Sequence, residues 1–545
     1  MKIRIIKIFF LTLFCFNVSG QTSPEIFKNP ILSGFYPDPS ICRVGDTYYM
    51  VNSSFEWFPG LPIHESKDLV NWKLIGYGLS KSTQINYPDG LGNSQGIFAP
   101  TIRHHNGTFY IICTMVGGNG NFIITAKDPS NSWSDPIWIK DAPGIDPSLF
   151  WDDDGKCYYT GAGIVDNSQN EWQGKNGIWI QEMNPEKGEL IGEKKQLTYG
   201  HASNARWAEG PHIYKIDAEY VLLIGEGGTG EYHAVTVFNS DNIWGPYIPN
   251  HANPVMTHRH LGKDYPIQQT GHADLVQTQN GDWWSVMLAK RQVDGFTTLA
   301  RETFLAKVEM TNQESGVTPI FNPGKGLLLF EQKRPELPWS PEHKTNELDE
   351  FEGEELGLEW NFLRSPKETW YELKDGQIQI QLRPESVTEF VNPSFIAQRT
   401  RHLNYEARTS LSFNTKKENE KAGLVIYRRH GNHYQLLKTK DKLVLLKTLQ
   451  EGNKGGFEPQ VVVSIPYKKE SVVISVKVDG INAQFYYGEN KFELKPMGKA
   501  QDYTILSDEI AQKFNGVYVG MYVTSSGKES KKTALFDWFK YQGVE

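Results

Sequence analysis

A four-residue element recurs five times before residue 276, and that recurrence limits the fold more than any other feature of the chain. The five copies are Asp38-Pro39-Ser40-Ile41, Ala99-Pro100-Thr101-Ile102, Asp146-Pro147-Ser148-Leu149, Gly210-Pro211-His212-Ile213 and His272-Ala273-Asp274-Leu275. Each is followed about ten residues on by an aromatic position: Tyr48-Tyr49, Phe109-Tyr110, Tyr158-Tyr159, Tyr220 and Trp283-Trp284. Turn residues such as Asn106-Gly107 and Asn280-Gly281-Asp282 join the two parts in four of the copies, which is the pattern of a β-hairpin. The prolines are 61, 47 and 64 residues apart, and the fifth copy follows 62 later. A unit of that size holds four short antiparallel strands, and a ring of such units protects their edges. Five units predict an all-β chain that begins with a five-bladed propeller.

The ring has a chemical consequence. If each element opens an innermost strand, then Asp38, Ala99, Asp146, Glu209 and His272 converge on one end of the axis. Three of these are carboxylic acids, and structural need alone does not crowd unpaired acids at a tunnel mouth. Glu209 follows a Trp207-Ala208 pair and precedes a Gly-Pro turn, a setting suited to an acid of raised pKa. Two chemistries are open to such a set. As a cation site it could hold calcium, although no acidic loop with EF-hand spacing accompanies it. As a hydrolase, one carboxylate serves as base for water, one as acid for the leaving oxygen, and a third tunes the acid. A lone Asp-Pro is a turn acid. Two Asp-Pro-Ser elements in register with Ala-Glu-Gly-Pro favour the hydrolase.

Beyond the repeat, residues 326–350 carry Pro335, Pro338 and Pro341 and read as a linker after a propeller over 25–325. From 351 to 545 period-two alternation dominates, as in Gln377-Ile378-Gln379-Ile380-Gln381-Leu382. Many short strands of that kind predict a β-sandwich with one face of each sheet wet. At the other end, Lys2, Arg4 and Lys7 precede the apolar run Ile8 to Phe16, and small residues follow to Gly20. Residues 1–20 therefore read as a secretory signal, too short to span a membrane once the protein is mature, and the protein is expected to be exported. Its removal takes away three positive charges, which makes a chain of net charge −8 more acidic still and gives nucleic acid nothing to bind. Cys42, Cys113 and Cys157 lie in apolar, strand-like contexts and read as buried thiols.

The ordered motifs Gly34-Phe35-Tyr36-Pro37-Asp38-Pro39-Ser40, Ser53-Ser54-Phe55-Glu56-Trp57-Phe58, Ala99-Pro100-Thr101, Ile145-Asp146-Pro147-Ser148, Ala208-Glu209-Gly210-Pro211-His212 and Gly271-His272-Ala273-Asp274 together resemble glycoside hydrolase family 43. The branch is that of β-xylosidases and α-L-arabinofuranosidases carrying a C-terminal concanavalin-like sandwich. The resemblance implies exo-acting, inverting hydrolysis that releases a terminal pentose from plant cell-wall polysaccharide or oligosaccharide, with Asp38 as base, Glu209 as acid, and Asp146 raising the pKa of Glu209. Inversion needs about 6.5–9.5 Å between base and acid carboxyls. By the same resemblance Arg301 hydrogen-bonds the terminal sugar, Phe55 lines its pocket, Thr229 neighbours the acid, and Phe514 sits on a sandwich loop that reaches the propeller mouth. Phe98 stands where relatives often carry Trp. His272 matches a histidine that in similar proteins faces the axial channel and binds a calcium ion or an ordered water, so no cofactor is required and a structural calcium is the one metal implied. A propeller that binds such glycans without cutting them is the alternative reading.

Overall fold

The computed structural model describes residues 24–341, 347–451, 457–512 and 514–544. The secretory-signal reading of residues 1–20 lies outside them. The first domain is a ring of five antiparallel sheets, each of four or five strands. Their innermost strands are Ser40–Val44, Thr101–His105, Ile145–Trp151, Glu209–Ile216 and Ile267–Gln277, and they open blades one to five in chain order. Each innermost strand contacts that of the next blade, and the fifth contacts the first. The N-terminal segment completes the circle: Ile26–Lys28 pairs with Glu331–Lys333, and Leu32 bridges Thr303 on blade five.

The blades are held by their seams. Ile41, Tyr48 and Met50 of blade one pack with Val276, Trp284 and Val286 of blade five in one cluster. Tyr158 and Ile180 of blade three meet Leu222 and Phe238 of blade four in another. A middle strand is therefore apolar on both faces, and Ala234–Ser240 is buried throughout, whereas the outer strand Glu189–Thr198 is open along most of its length. The hairpin turn at Asn106 (φ 47°) and Gly107 (φ 70°) is left-handed at both positions, as a two-residue turn that follows the strand twist requires. Cys42, Cys113 and Cys157 are buried free thiols within these blades.

An ion pair crosses the centre of the ring. Arg103 of blade two places Nη1 2.8 Å from Asp274 Oδ2 on blade five. Its Nη2 lies 2.9 Å from His212 Nδ1 on blade four. Asp274 also accepts from Ser40 Oγ at 2.6 Å, the Ile41 amide at 3.0 Å and Tyr214 Oη at 2.5 Å. A side chain that joins blade two to blades four and five spans the axial channel, so this cluster fastens four of the five blades from within.

The second domain is a sandwich of a nine-stranded and an eight-stranded sheet. The outer, nine-stranded sheet alternates as expected: Asn404–Ser412 buries every second residue. The eight-stranded sheet does not. Asn432–Lys438 and Tyr518–Thr524 are buried on both faces, so the expectation of one wet face per sheet is corrected for this sheet. The reason is that its second face packs against the propeller. Phe35, Phe55, Trp57 and Ala300 share one cluster with Val425, Tyr427, Tyr518 and Tyr522. The propeller segment Trp57–Phe58 also joins this sheet as its edge strand beside Asn361–Leu363, and the Trp57 indole stacks on Tyr518 at 3.5 Å.

Removing Arg103 leaves Asp274, fully buried, without its main counter-charge. Arg103→Met is therefore expected to lower unfolding free energy by about 3–5 kcal/mol. Urea titration checks this, and an unchanged midpoint would show that the blade seams alone hold the ring.

Candidate active site

Three of the innermost strands are irregular where they begin. Pairing shifts register between Ile145 and Ser148, between Glu209 and His212, and around Gly271. Bulges of this kind turn a side chain out of the ladder. Asp38 (φ 52°), Asp146 (φ 53°), Gly210 (φ 56°) and His272 (φ 49°) occupy the same place in four blades, all left-handed. The equivalent of Asp38 in blade four is thus Gly210, and Glu209 stands one residue earlier. Glycine is needed there, because a Cβ on Gly210 would lie 2.8 Å from the His272 imidazole.

The three acids lie within electrostatic reach of one another. Arg301 Nη1 donates to Asp38 Oδ1 at 2.6 Å, and Ser53 Oγ donates to Asp38 Oδ2. The Gly210 amide donates to Asp146 Oδ2 at 3.2 Å, which ties Asp146 to the residue next to Glu209. Burial, and then the charge of Asp38, push Glu209 up to about 7, with Arg301 pulling the other way. Burial, then Glu209 and Asp38, hold Asp146 well above the usual carboxyl range, opposed by the Gly210 amide and Arg301. Glu209 thus raises Asp146, while Glu209 itself owes its raised pKa to burial and Asp38.

Arg301 is buried, and Glu302 does not engage it: Glu302 pairs instead with Arg291, at 2.7 and 2.8 Å. The guanidinium of Arg301 stands 5.1 Å from the rings of both Phe55 and Phe514. Its Nε and Nη2 are buried without a partner among the described residues, two donors aimed at nothing the protein supplies. Phe98 lies 5.0 Å from Phe55, so Phe55, Phe98 and Phe514 wall one side of the mouth. Thr229 is half-buried in the loop after Glu226, on the acid's blade. Of the run Gly117 to Asn121, Gly117, Gly118 and Asn119 form a tight hairpin turn between Thr108–Val116 and Gly120–Ala126.

Calcium takes six to eight oxygen ligands. His272 offers one nitrogen, which burial keeps neutral, and among the described residues no three His, Cys, Asp or Glu side chains converge on one metal position. The protein donors do not fit a resident calcium at His272, and the Arg103 guanidinium already brings positive charge to the channel.

Several residues escaped sequence reasoning. Ser53 fixes the second oxygen of Asp38. Glu56 is fully buried and accepts from Asn93 Nδ2 at 2.9 Å, the Ser94 amide at 3.1 Å and Asn515 Nδ2. With the Phe514 amide donating to Ser94 Oγ at 2.9 Å, this network sets the sandwich loop over Arg301. The signal available was an acid inside the aromatic run Phe55-Glu56-Trp57-Phe58, where a charge without buried partners would not survive.

Residues 27–315 match Glycosyl hydrolases family 43, and residues 348–542 match the Beta xylosidase C-terminal Concanavalin A-like domain. The chain belongs to glycoside hydrolase family 43. It is 39% identical over 535 residues to a xylosidase/arabinosidase of Butyrivibrio fibrisolvens, covering 95% of this chain and 100% of that one. It is 36% identical to a non-reducing end alpha-L-arabinofuranosidase of Bacteroides ovatus, covering 97% of each. The crystal structure of a xylan beta-1,4-xylosidase from Bacillus halodurans superposes with a TM-score of 0.87 at 35% identity, covering 95% of this chain and 100% of that one. This family 43 protein is a glycosidase.

The resemblance implies that Asp146 raises the pKa of Glu209, whereas burial and Asp38 are the causes that raise it here, so Asp146→Asn tests the role of Asp146. If Asp146 does hold the proton on Glu209, its loss lowers that pKa. The alkaline limb of kcat/KM, expected near pH 7 in the wild type, should then move toward acid. A pH–rate profile of both proteins checks this, and an unmoved limb would leave burial and Asp38 as the causes of the raised pKa.

Proposed function

We propose that this family 43 glycosidase removes a terminal pentose, β-D-xylosyl or α-L-arabinofuranosyl, from plant cell-wall glycans by a single displacement with inversion. Asp38 activates the water as general base. Glu209 protonates the leaving oxygen, and Asp146 holds Glu209 in place and protonated. The observation that carries the assignment is the split environment of the acids: Asp38 is gripped by Arg301 and Ser53, while Glu209 is pushed up to about 7. A base and an acid working at one pH need that separation.

The free Nε and Nη2 of Arg301 suit two hydroxyls of the terminal sugar, and a planar fork matches vicinal oxygens better than a point charge. Phe55, Phe98 and Phe514 supply the apolar wall, with Phe514 closing the pocket from the sandwich side, which supports exo action. Thr229, in the loop after Glu226 on the acid's blade, is assigned as a neighbour of the acid. The reading needs no cofactor, because three carboxyls and an arginine cover both proton transfers. Export is proposed from residues 1–20, in keeping with a polymeric plant substrate that is met outside the cell.

Glu209→Gln should cut turnover of a natural pentosyl oligosaccharide by about 10²–10⁴-fold. The loss should be smaller on the two nitrophenyl pentosides, assayed side by side, because nitrophenol leaves with less acid help. Activity within tenfold of wild type on the natural glycoside would remove Glu209 as the acid. The same side-by-side assay of the wild type assigns the pentose.

A further inference from the structure

Trp207, two residues before Glu209, has features that packing does not explain. Its backbone is left-handed (φ 53°), a conformation that bulky L residues rarely adopt. Its side chain is 45% exposed, and it belongs to none of the hydrophobic clusters among the described residues. The chain around it is pinned on several sides. The Trp207 amide donates to Gly174 O at 2.8 Å, the Gly227 amide to Arg206 O at 2.8 Å, and Trp172 Nε1 to Ala205 O at 2.7 Å.

Two left-handed glycines from different blades clasp the indole. A Cβ on Gly174 (φ 77°) would lie 3.0 Å from Trp207 Cε2, and one on Gly228 (φ 67°) 2.9 Å from its Cδ1. The fold therefore holds an apolar ring rigid, in a disfavoured conformation, at an open surface. Left-handed non-glycine positions recur at functional sites, and in this chain Asp38, Asp146 and His272 share that backbone with Trp207.

The position has a direction. The base Asp38 belongs to blade one, on the side walled by Phe55, Phe98 and Phe514, and the acid Glu209 opens blade four. In a single displacement water enters from the base's side and the leaving oxygen departs from the acid's side. The part of the substrate beyond the cleaved bond must then lie over the approach to Glu209, and Trp207 is two residues along the chain from it.

We infer that Trp207 is the platform for the leaving-group sugar, a pyranosyl residue whose C–H face stacks on the exposed indole. The inference rests on the glycosidase reading of the site and adds a second subsite to it. The apolar pocket around Arg301 holds the terminal pentose. Trp207 reads the chain from which that pentose is cut.

The test compares a pentosyl fluoride, which has no leaving-group sugar, with an oligosaccharide that carries the same pentose on a xylobiose unit. Trp207→Gly suits the left-handed backbone, and Trp207→Phe keeps a ring. The ratio of kcat/KM on the oligosaccharide to that on the fluoride should fall at least tenfold in Trp207→Gly and recover most of the way in Trp207→Phe. An unchanged ratio would overturn the inference. So would equal losses on both substrates, which would place the damage in the terminal-pentose pocket. Because fluoride leaves with little acid help, a mispositioned Glu209 would lower the same ratio, and binding measured without turnover separates that case.

Calorimetric titration in a Glu209→Gln background reads binding without turnover. There Trp207→Gly should weaken the oligosaccharide at least fivefold relative to the free pentose, and equal affinities would again overturn the subsite. If the wild type cleaves neither substrate, the pentosidase reading fails, and the titration still decides the role of Trp207.

Discussion

Repulsion among Asp38, Asp146 and Glu209 is the constraint around which the mouth of the propeller is arranged. Three carboxyls within electrostatic reach of one another, shielded from water, oppose folding unless charge and protons are distributed among them. The structure distributes them unevenly. Arg301 and Ser53 grip Asp38, while Asp146 has one backbone amide for support and both Asp146 and Glu209 are pushed toward their protonated forms. The unevenness is what makes the site usable, because it sets a water-activating carboxylate against a proton donor.

That arrangement depends on a ring that cannot relax. Left-handed entrances at Asp38, Asp146 and His272 hold non-glycine residues in a disfavoured backbone conformation, Gly210 takes the fourth, and bulges lie beside three of the four. They persist because the seams are fully packed and because Arg103 and Asp274 tie the blades through the channel. The sandwich domain completes the site. Its eight-stranded sheet takes Trp57–Phe58 as an edge strand, and the buried Glu56 network sets Phe514 over Arg301. A pocket wall is thus supplied by a residue that lies 213 positions after Arg301 in the chain.

Much of this was legible in the sequence, and the reasons differ from residue to residue. The repeat exposed the ring, since an element recurring every 47 to 64 residues is written locally. Convergence of the acids followed from the ring alone. The raised pKa of Glu209 was visible only as an apolar setting, because its size depends on burial and on Asp38 from another blade. Glu56 and Ser53 carried no mark of their partners, which lie far away in sequence or are set by backbone geometry. The inner sandwich sheet misled the alternation rule, although Ala422-Gly423-Leu424-Val425-Ile426-Tyr427 is a continuous apolar run and such runs belong to strands covered on both faces. Trp207 read only as part of the setting of Glu209, and its exposure and backbone strain appear only in three dimensions.

Single displacement requires a water between Asp38 and the sugar while Glu209 protonates the opposite side. Proton NMR of the first sugar released from a natural pentosyl oligosaccharide, recorded before the anomers equilibrate, tests this most directly. The product is expected to appear first with the anomeric configuration opposite to that of the bond cleaved. First appearance with the configuration retained would mean that a carboxylate, rather than water, attacks the anomeric carbon, and it would contradict Asp38 as base and Glu209 as acid of an inverting enzyme.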